Sequence, residues 1–308
     1  MPRPGGRLIN GQNTAAQLPP IIALLPLAAT LDCIKMTATL YVFGHSVWSA
    51  APELAVADLG FSDKVVKKTI NLVEGKNFNP SFLKINANAT LPTLTTEGTT
   101  LTNTADVVSY VVKNAPVKVA PGTSIIEDVH KQEVDPNFVL FAARNDAELS
   151  EKAKGFAKLF TENRVNALKT YAATPEAEGF KSFYDAKIAE NSGLLALLNG
   201  EAPDANKQGF FHLSTGAWSA IQQFLYETLP AHLTSGPFLA GERPGEDDFH
   251  VGAWIARIAF VTGAQSSEQG VEKLQAFFGA TVPAKVVTYW NAWSARDSWK
   301  ETYAQGLH

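Results

Sequence analysis

The chain has 308 residues, 45% of them hydrophobic, and a formal net charge of −4. That length allows one large or two smaller domains, and the composition is ordinary for a globular protein. The charge and the lack of any Lys or Arg run exclude a nucleic-acid track, and the single cysteine, Cys33, excludes an intrachain disulfide and cysteine-rich zinc sites.

Residues 1–37 read as a disordered extension, with Pro2, Pro4, Gly5 and Gly6 breaking any regular element. The apolar run 21–31 contains Pro26 and is too short to span a bilayer. Arg3 and Arg7 before it and Ala28 and Ala29 after it make a targeting signal the alternative. Residues 40–43 are a short β-prone run closed by Gly44. Residues 46–60 then carry a mixed helical face of Leu54, Ala55, Ala57 and Leu59, and Gly60 is a natural stop. Pro52 lacks an N–H and so belongs in that helix's first turn, which places Ser49 at the N-cap and Ser46 just upstream. Residues 65–73 read as a strand and 80–83 as a short helix.

Residues 86–94, NANATLPTL, followed by Leu101, Asn103 and Thr104, read as loop, strand-entry proline, strand, tight turn, strand and helix start. If the Leu91–Pro92 bond is cis, the preceding backbone is turned outward, with its N–H and C=O offered to a ligand. Residues 114–134 lack a clear period, contain Pro116, Pro121 and Gly122, and read as a linker. From residue 135 the chain turns helical, with helices expected over 138–170, 180–198, 210–229, 248–261, 271–278 and 285–303. Glu148 and Lys152, four apart, mark a solvated face. GPFLAG at 236–241, then a run of acidic residues ending at Asp248, precedes the helix expected to be buried, 248–261. Asp248 is placed to accept orphan N–H groups at the helix start, with Gly245 at the cap. His45, His212, His232 and His250 are scattered without metal-ligand spacing, so no metal site is expected.

Two landmarks in this order, the strand-entry proline and the capped helix of Asp248, resemble the glutathione transferase family, over roughly 38–298. The resemblance implies a thioredoxin-like glutathione-binding domain at 38–113, the linker at 114–134, and an all-helical domain at 135–308. It puts Leu91 and Pro92 at the family's cis-proline, and Asn103 and Thr104 where an acidic residue and Ser receive the γ-glutamyl end of glutathione. Asn103 lacks the family's charge there, and Thr90 replaces a Lys that in some classes reaches the glycyl carboxylate. The helical half is longer than the family needs, with the surplus at 169–207.

Counting back from Gly60, Ser46 falls at the serine-type catalytic position, where a hydroxyl stabilises the glutathione thiolate. Ser49 is the alternative, and Trp48 beside them is placed to line the electrophile pocket. With serine in place of the cysteine found in some classes, reduction of mixed disulfides is not expected. The implied activity is transfer of glutathione to small electrophiles, with peroxide reduction as a side activity. Glutathione serves as co-substrate and no cofactor is expected. The resemblance further implies a cytoplasmic homodimer, without a nucleic-acid or membrane partner. The alternative is a non-catalytic module on the same fold, as in the gamma subunit of the translation elongation factor complex or a carrier of hydrophobic ligands.

Overall fold

The computed structural model describes residues 38–308. The expectations for residues 1–37, Cys33 included, lie outside the described residues. The first element is β1 (Ala38–Val42), followed by α1 (Val47–Asp58), β2 (Val65–Thr69), α2 (Pro80–Leu83), β3 (Thr93–Thr96), β4 (Thr99–Leu101) and α3 (Thr104–Asn114). The four strands form one sheet in the order β2-β1-β3-β4. β1 runs parallel to β2 and antiparallel to β3, with Leu40 opposite Leu94. Both leucines are fully buried, and they meet Leu54 and Val107 of the helices in the main core. α1 ends where expected: Gly60 takes a left-handed φ of 65°, which a side chain would strain.

The helical part continues with α4 (Ile125–Val129), α5 (Phe138–Phe141), α6 (Asp146–Lys154), α7 (Phe156–Ala172) and α8 (Lys181–Asn199). It then runs through α9 (Asp204–Gln223), a π-helical turn at Phe224–Thr228, α10 (Leu229–His232), α11 (Glu246–Val261), α12 (Gly270–Phe278), α13 (Ala284–Ala295) and α14 (Asp297–Thr302). The single helices expected over 138–170 and 285–303 are broken, the second at Arg296, whose extended backbone separates α13 from α14. The solvated pair expected of Glu148 and Lys152 is also redistributed: Glu148 pairs with Arg144, and Lys152 donates to the Leu140 carbonyl. Among the described residues no helix is long and apolar enough to cross a membrane.

Residues 114–134 are more than a tether. They contain α4 and a short 3-10 turn, and two carboxylates of α11 hold them down. Glu246 accepts from the Gly122 N–H at 3.0 Å, and Asp247 accepts from the Thr123 N–H at 2.7 Å. α11 is buried along nearly its whole length and packs against α1. Gly252 lets Trp293 approach: a Cβ there would lie 2.9 Å from the indole ring.

Asp248 performs its expected role. Its carboxylate accepts from the N–H groups of Leu239 at 2.8 Å, Ala240 at 3.2 Å and Gly245 at 2.8 Å. The Gly245 cap has no room for a side chain, since a Cβ there would lie 2.7 Å from the Ala240 methyl. Its carbonyl takes the Asp248 N–H instead of a side-chain oxygen.

The surplus at 169–207 lies mostly in the α7–α8 hairpin, which forms a second apolar cluster with the α2 region. Leu168, Ala177 and Tyr184 pack there against Phe78, Leu83 and Ala89. The Tyr184 hydroxyl donates to the Phe78 carbonyl at 2.6 Å, tying the hairpin to the thioredoxin-like half.

Candidate active site

A cleft of about 710 Å³ lies between the sheet side of the molecule and the helices. Ser46, Trp48, Leu91, Asn103 and Thr104 all line it, while Pro92 and Ser49 do not.

Ser46 is the N-cap of α1, with extended backbone and its Oγ accepting from the Ser49 N–H at 3.4 Å. Ser49 was expected at the cap and is instead fully buried inside the first turn, where its Oγ accepts from the Phe43 N–H. Pro52 lies inside the helix and not in its first turn, which displaces the expected start by three residues. Ser49 is thus held in the core and is not among the residues that line the cleft. The capping bond occupies a lone pair of Ser46, so the hydroxyl proton remains available to a ligand at the positive end of the helix.

The Leu91–Pro92 peptide bond is cis. Two buried asparagines support its loop. Asn86, almost fully buried, donates to the Thr90 carbonyl and to Thr93 Oγ1 and accepts from the Asn88 N–H. Asn77 donates to the carbonyl of Ala89, a non-glycine residue held at a φ of 54°. Thr90 turns its hydroxyl to the Thr102 carbonyl.

Asn103 caps α3 by accepting from the Asp106 N–H, and its amide also donates to the Asp106 carboxylate at 2.6 Å. Both polar ends of the side chain are thus engaged, and Thr104 opens the helix beside it with its residue buried.

The opposite wall holds groups that the sequence did not single out. Arg164 of α7 lies between aromatic faces, 4.5 Å from the Phe78 centroid and 5.2 Å from that of Phe160. It donates to Asn191 Oδ1 and has no carboxylate within ion-pair distance among the described residues. Burial pushes it down to about 10, so it stays charged at neutral pH. Arg257 of α11 is nearly fully buried and donates to the His45 carbonyl at 2.6 Å, directly before Ser46. Its Nε has no partner among the described residues. Burial raises Asp135, a carboxyl whose charge acts on Arg257, above its ordinary value.

Trp48 lines the cleft, and one face of its indole is covered by His130, with ring centroids 4.0 Å apart. His130 in turn lies 2.9 Å from His250 of α11. Burial lowers His130 to about 4 and, with the neighbouring ring, His250 to about 3, so both are neutral at pH 7. Among the described residues no cluster of three His, Cys, Asp or Glu side chains is placed to hold a metal ion.

No protein-family model matches the sequence, and no curated protein does either. Many solved structures match the fold. One is the beta-etherase LigF of Sphingobium sp. strain SYK-6, 14% identical over 87% of this chain and 99% of that one, with a TM-score of 0.54. Others are Gtt2 of Saccharomyces cerevisiae, at 15% identity over 86% and 99% with a TM-score of 0.48, and a glutathione transferase homologue from sulfitobacter with bound glutathione, at 15% identity over 89% and 100% with a TM-score of 0.45. The chain has the glutathione-transferase fold, a thioredoxin-like half followed by an all-helical half.

Proposed function

We propose that the protein is a serine-type glutathione transferase acting on small electrophiles. The observation that carries this reading is the state of Ser46. It caps α1 through a lone pair, keeps its O–H free, and faces the same cleft as Leu91 and the start of α3. A hydrogen bond donated to a thiol sulfur and the positive end of a helix both favour the thiolate. Arg257, a buried cation beside the His45 carbonyl, adds positive potential at the same place.

Glutathione would lie with its thiol at Ser46, its cysteinyl backbone along Leu91 beside Pro92, and its γ-glutamyl carboxylate at Thr104 and the N-terminus of α3. Asn103, spent on its cap, brings no charge to the ammonium group. Arg164 supplies from the helical wall the cation that is missing at Thr90, with a planar fork suited to the glycyl carboxylate. The electrophile would enter beside Trp48, and thiolate attack on a peroxide oxygen is the expected side reaction. Glutathione is a co-substrate, and the chemistry requires no cofactor. A cytoplasmic homodimer completes the reading, and light scattering that returns the mass of one chain would remove the dimer.

Purified protein should bind glutathione-agarose and elute with free glutathione, then conjugate glutathione to members of an electrophile panel above the buffer rate. Retention without turnover would favour a non-catalytic binding module. Absence of both would remove the proposal.

A further inference from the structure

A thiol that becomes a thiolate must pass its proton to an acceptor, and Ser46 cannot take it while donating to the sulfur. The titratable side chains that line the cleft as possible acceptors are His45, His130, Asp135 and Glu190. Glu190 is exposed, pairs with Lys187 at 2.7 Å, and neighbours Asn191 at the Arg164 end. His130, lowered to about 4 by burial, is a weak base, and its Nε2 is engaged with His250. His45 packs edge-on against Phe43 and His308, with 5.6 Å between ring centroids in each case.

One helix brings Asp135 and Ser46 together. Trp254 and Arg257 are three positions apart and share a face of α11. The Trp254 indole N–H donates to the Val134 carbonyl at 2.9 Å, and Arg257 donates to the His45 carbonyl at 2.6 Å. The residue before Asp135 and the residue before Ser46 are therefore held by neighbouring side chains of one buried helix, and Asp135 and Ser46 both line the cleft. Asp135 Oδ1 accepts from the Asn137 N–H at 2.9 Å, a local bond that fixes the carboxylate. Burial, the stronger influence, makes this carboxylate a better base than one in water, while the Arg257 charge favours its ionised form.

We propose that Asp135 is a catalytic residue, the general base that takes the proton of the glutathione thiol. This assignment rests on the glutathione-transfer reading and adds the fate of the thiol proton. The S–H bond breaks as an O–H bond forms on the Asp135 carboxylate. The electron pair stays on sulfur, where Ser46 donates its hydrogen bond. The thiolate then attacks the electrophile, and Asp135 returns its proton to the leaving group or to water. No oxidant or reductant is consumed. The two side chains divide the work: Ser46 stabilises the anion, and Asp135 removes the proton.

Stopped-flow absorbance of the thiolate, on mixing protein with glutathione at neutral pH, reads this step before any second substrate is present. D135N keeps an oxygen for the Asn137 N–H, and with it the local turn, but is no base. It should form the bound thiolate about tenfold or more slowly than the parent. In D135A, added formate should restore part of the rate, since a small carboxylate can enter the space left by the side chain and take the proton. Chloride at the same ionic strength should not. H45F should keep the parent rate. Thiolate formation at the parent rate in D135N, or a D135A rate that formate does not raise above chloride, would overturn the assignment while leaving glutathione transfer intact. A loss in H45F with D135N unaffected would give the role to the imidazole instead. A parent that forms no bound thiolate would remove the transfer reading and this assignment with it.

Discussion

The two walls of the cleft are built by different means. On the sheet side, several residues at the cleft are held by partners a few positions away. Ser46 is bound to Ser49, Asn103 to Asp106, and the loop around Leu91 is organised by Asn86 through Asn88, Thr90 and Thr93. On the helical side, the partners are remote in sequence. His130 meets His250 across 120 positions, Tyr184 reaches Phe78 across 106, and Arg257 reaches the His45 carbonyl across 212. Local hydrogen bonding thus shapes one wall, while tertiary packing positions the chemistry of the other.

The largest effect is expected where that packing is fixed to a helix start. Asp248→Ala would leave three N–H groups without their carboxylate, that of Gly245 buried and those of Leu239 and Ala240 partly so. It should cost at least about 3 kcal/mol, read as a lower denaturation midpoint. An unchanged midpoint would mean that the segment 239–245 before α11 holds itself in place.

Acid should distinguish the walls next. Burial holds His130 down at about 4 against its ordinary 6.5. A lowered histidine contributes stability that is present above pH 6.5 and is lost as pH falls toward 4. For His130 this amounts to on the order of 3 kcal/mol, and the more deeply buried His250 acts in the same direction. Asp248, raised to about 6 by burial, works the opposite way, favouring the fold as pH falls through that value. The comparison of H130Q with the parent isolates the histidine. The variant should lose less stability between pH 6.5 and 4, and parallel curves would show that His130 takes up its proton in the folded state at the usual pH.

A smaller and more specific effect belongs to Arg164. Arg164→Met should lose the preference for glutathione over its glycyl ethyl ester, a change of roughly tenfold in relative binding if one charged hydrogen-bonding contact is removed. Equal binding of both compounds by the parent would place the glycyl carboxylate elsewhere.

Much of the sheet wall was legible in the sequence because its signals are local. The strand-entry Pro92, the capping Asn103 and the stop at Gly60 each fall where the residue types place them. The error there was also local: Pro52 suggested a helix start three residues late and gave the cap to Ser49. The helical wall was legible only in part. Asp248 announced itself through the acidic run before an apolar helix. His130 sits in a stretch that lacks periodicity, and nothing near it in sequence shows that His250 will lie behind it. Arg164 looks like one more cation on a solvated helix until α7 and α8 fold over Phe78. The surplus of helical residues was visible, but its use as the closing side of the cleft depends on contacts with α2.

The central claim is that Ser46 donates to the glutathione sulfur, and the pKa of bound glutathione tests it most directly. That value can be read from the ultraviolet absorbance of the thiolate across pH in the parent, Ser46→Ala and Ser46→Thr. In the parent it should lie well below that of a free thiol, near 8.5. In Ser46→Ala it should return toward that value, with transfer at neutral pH slower by about tenfold or more and the lost cap costing about 1 kcal/mol of stability. Ser46→Thr keeps both the cap and the donor and should resemble the parent. A bound-thiol pKa that is the same in the parent and in Ser46→Ala would contradict the account.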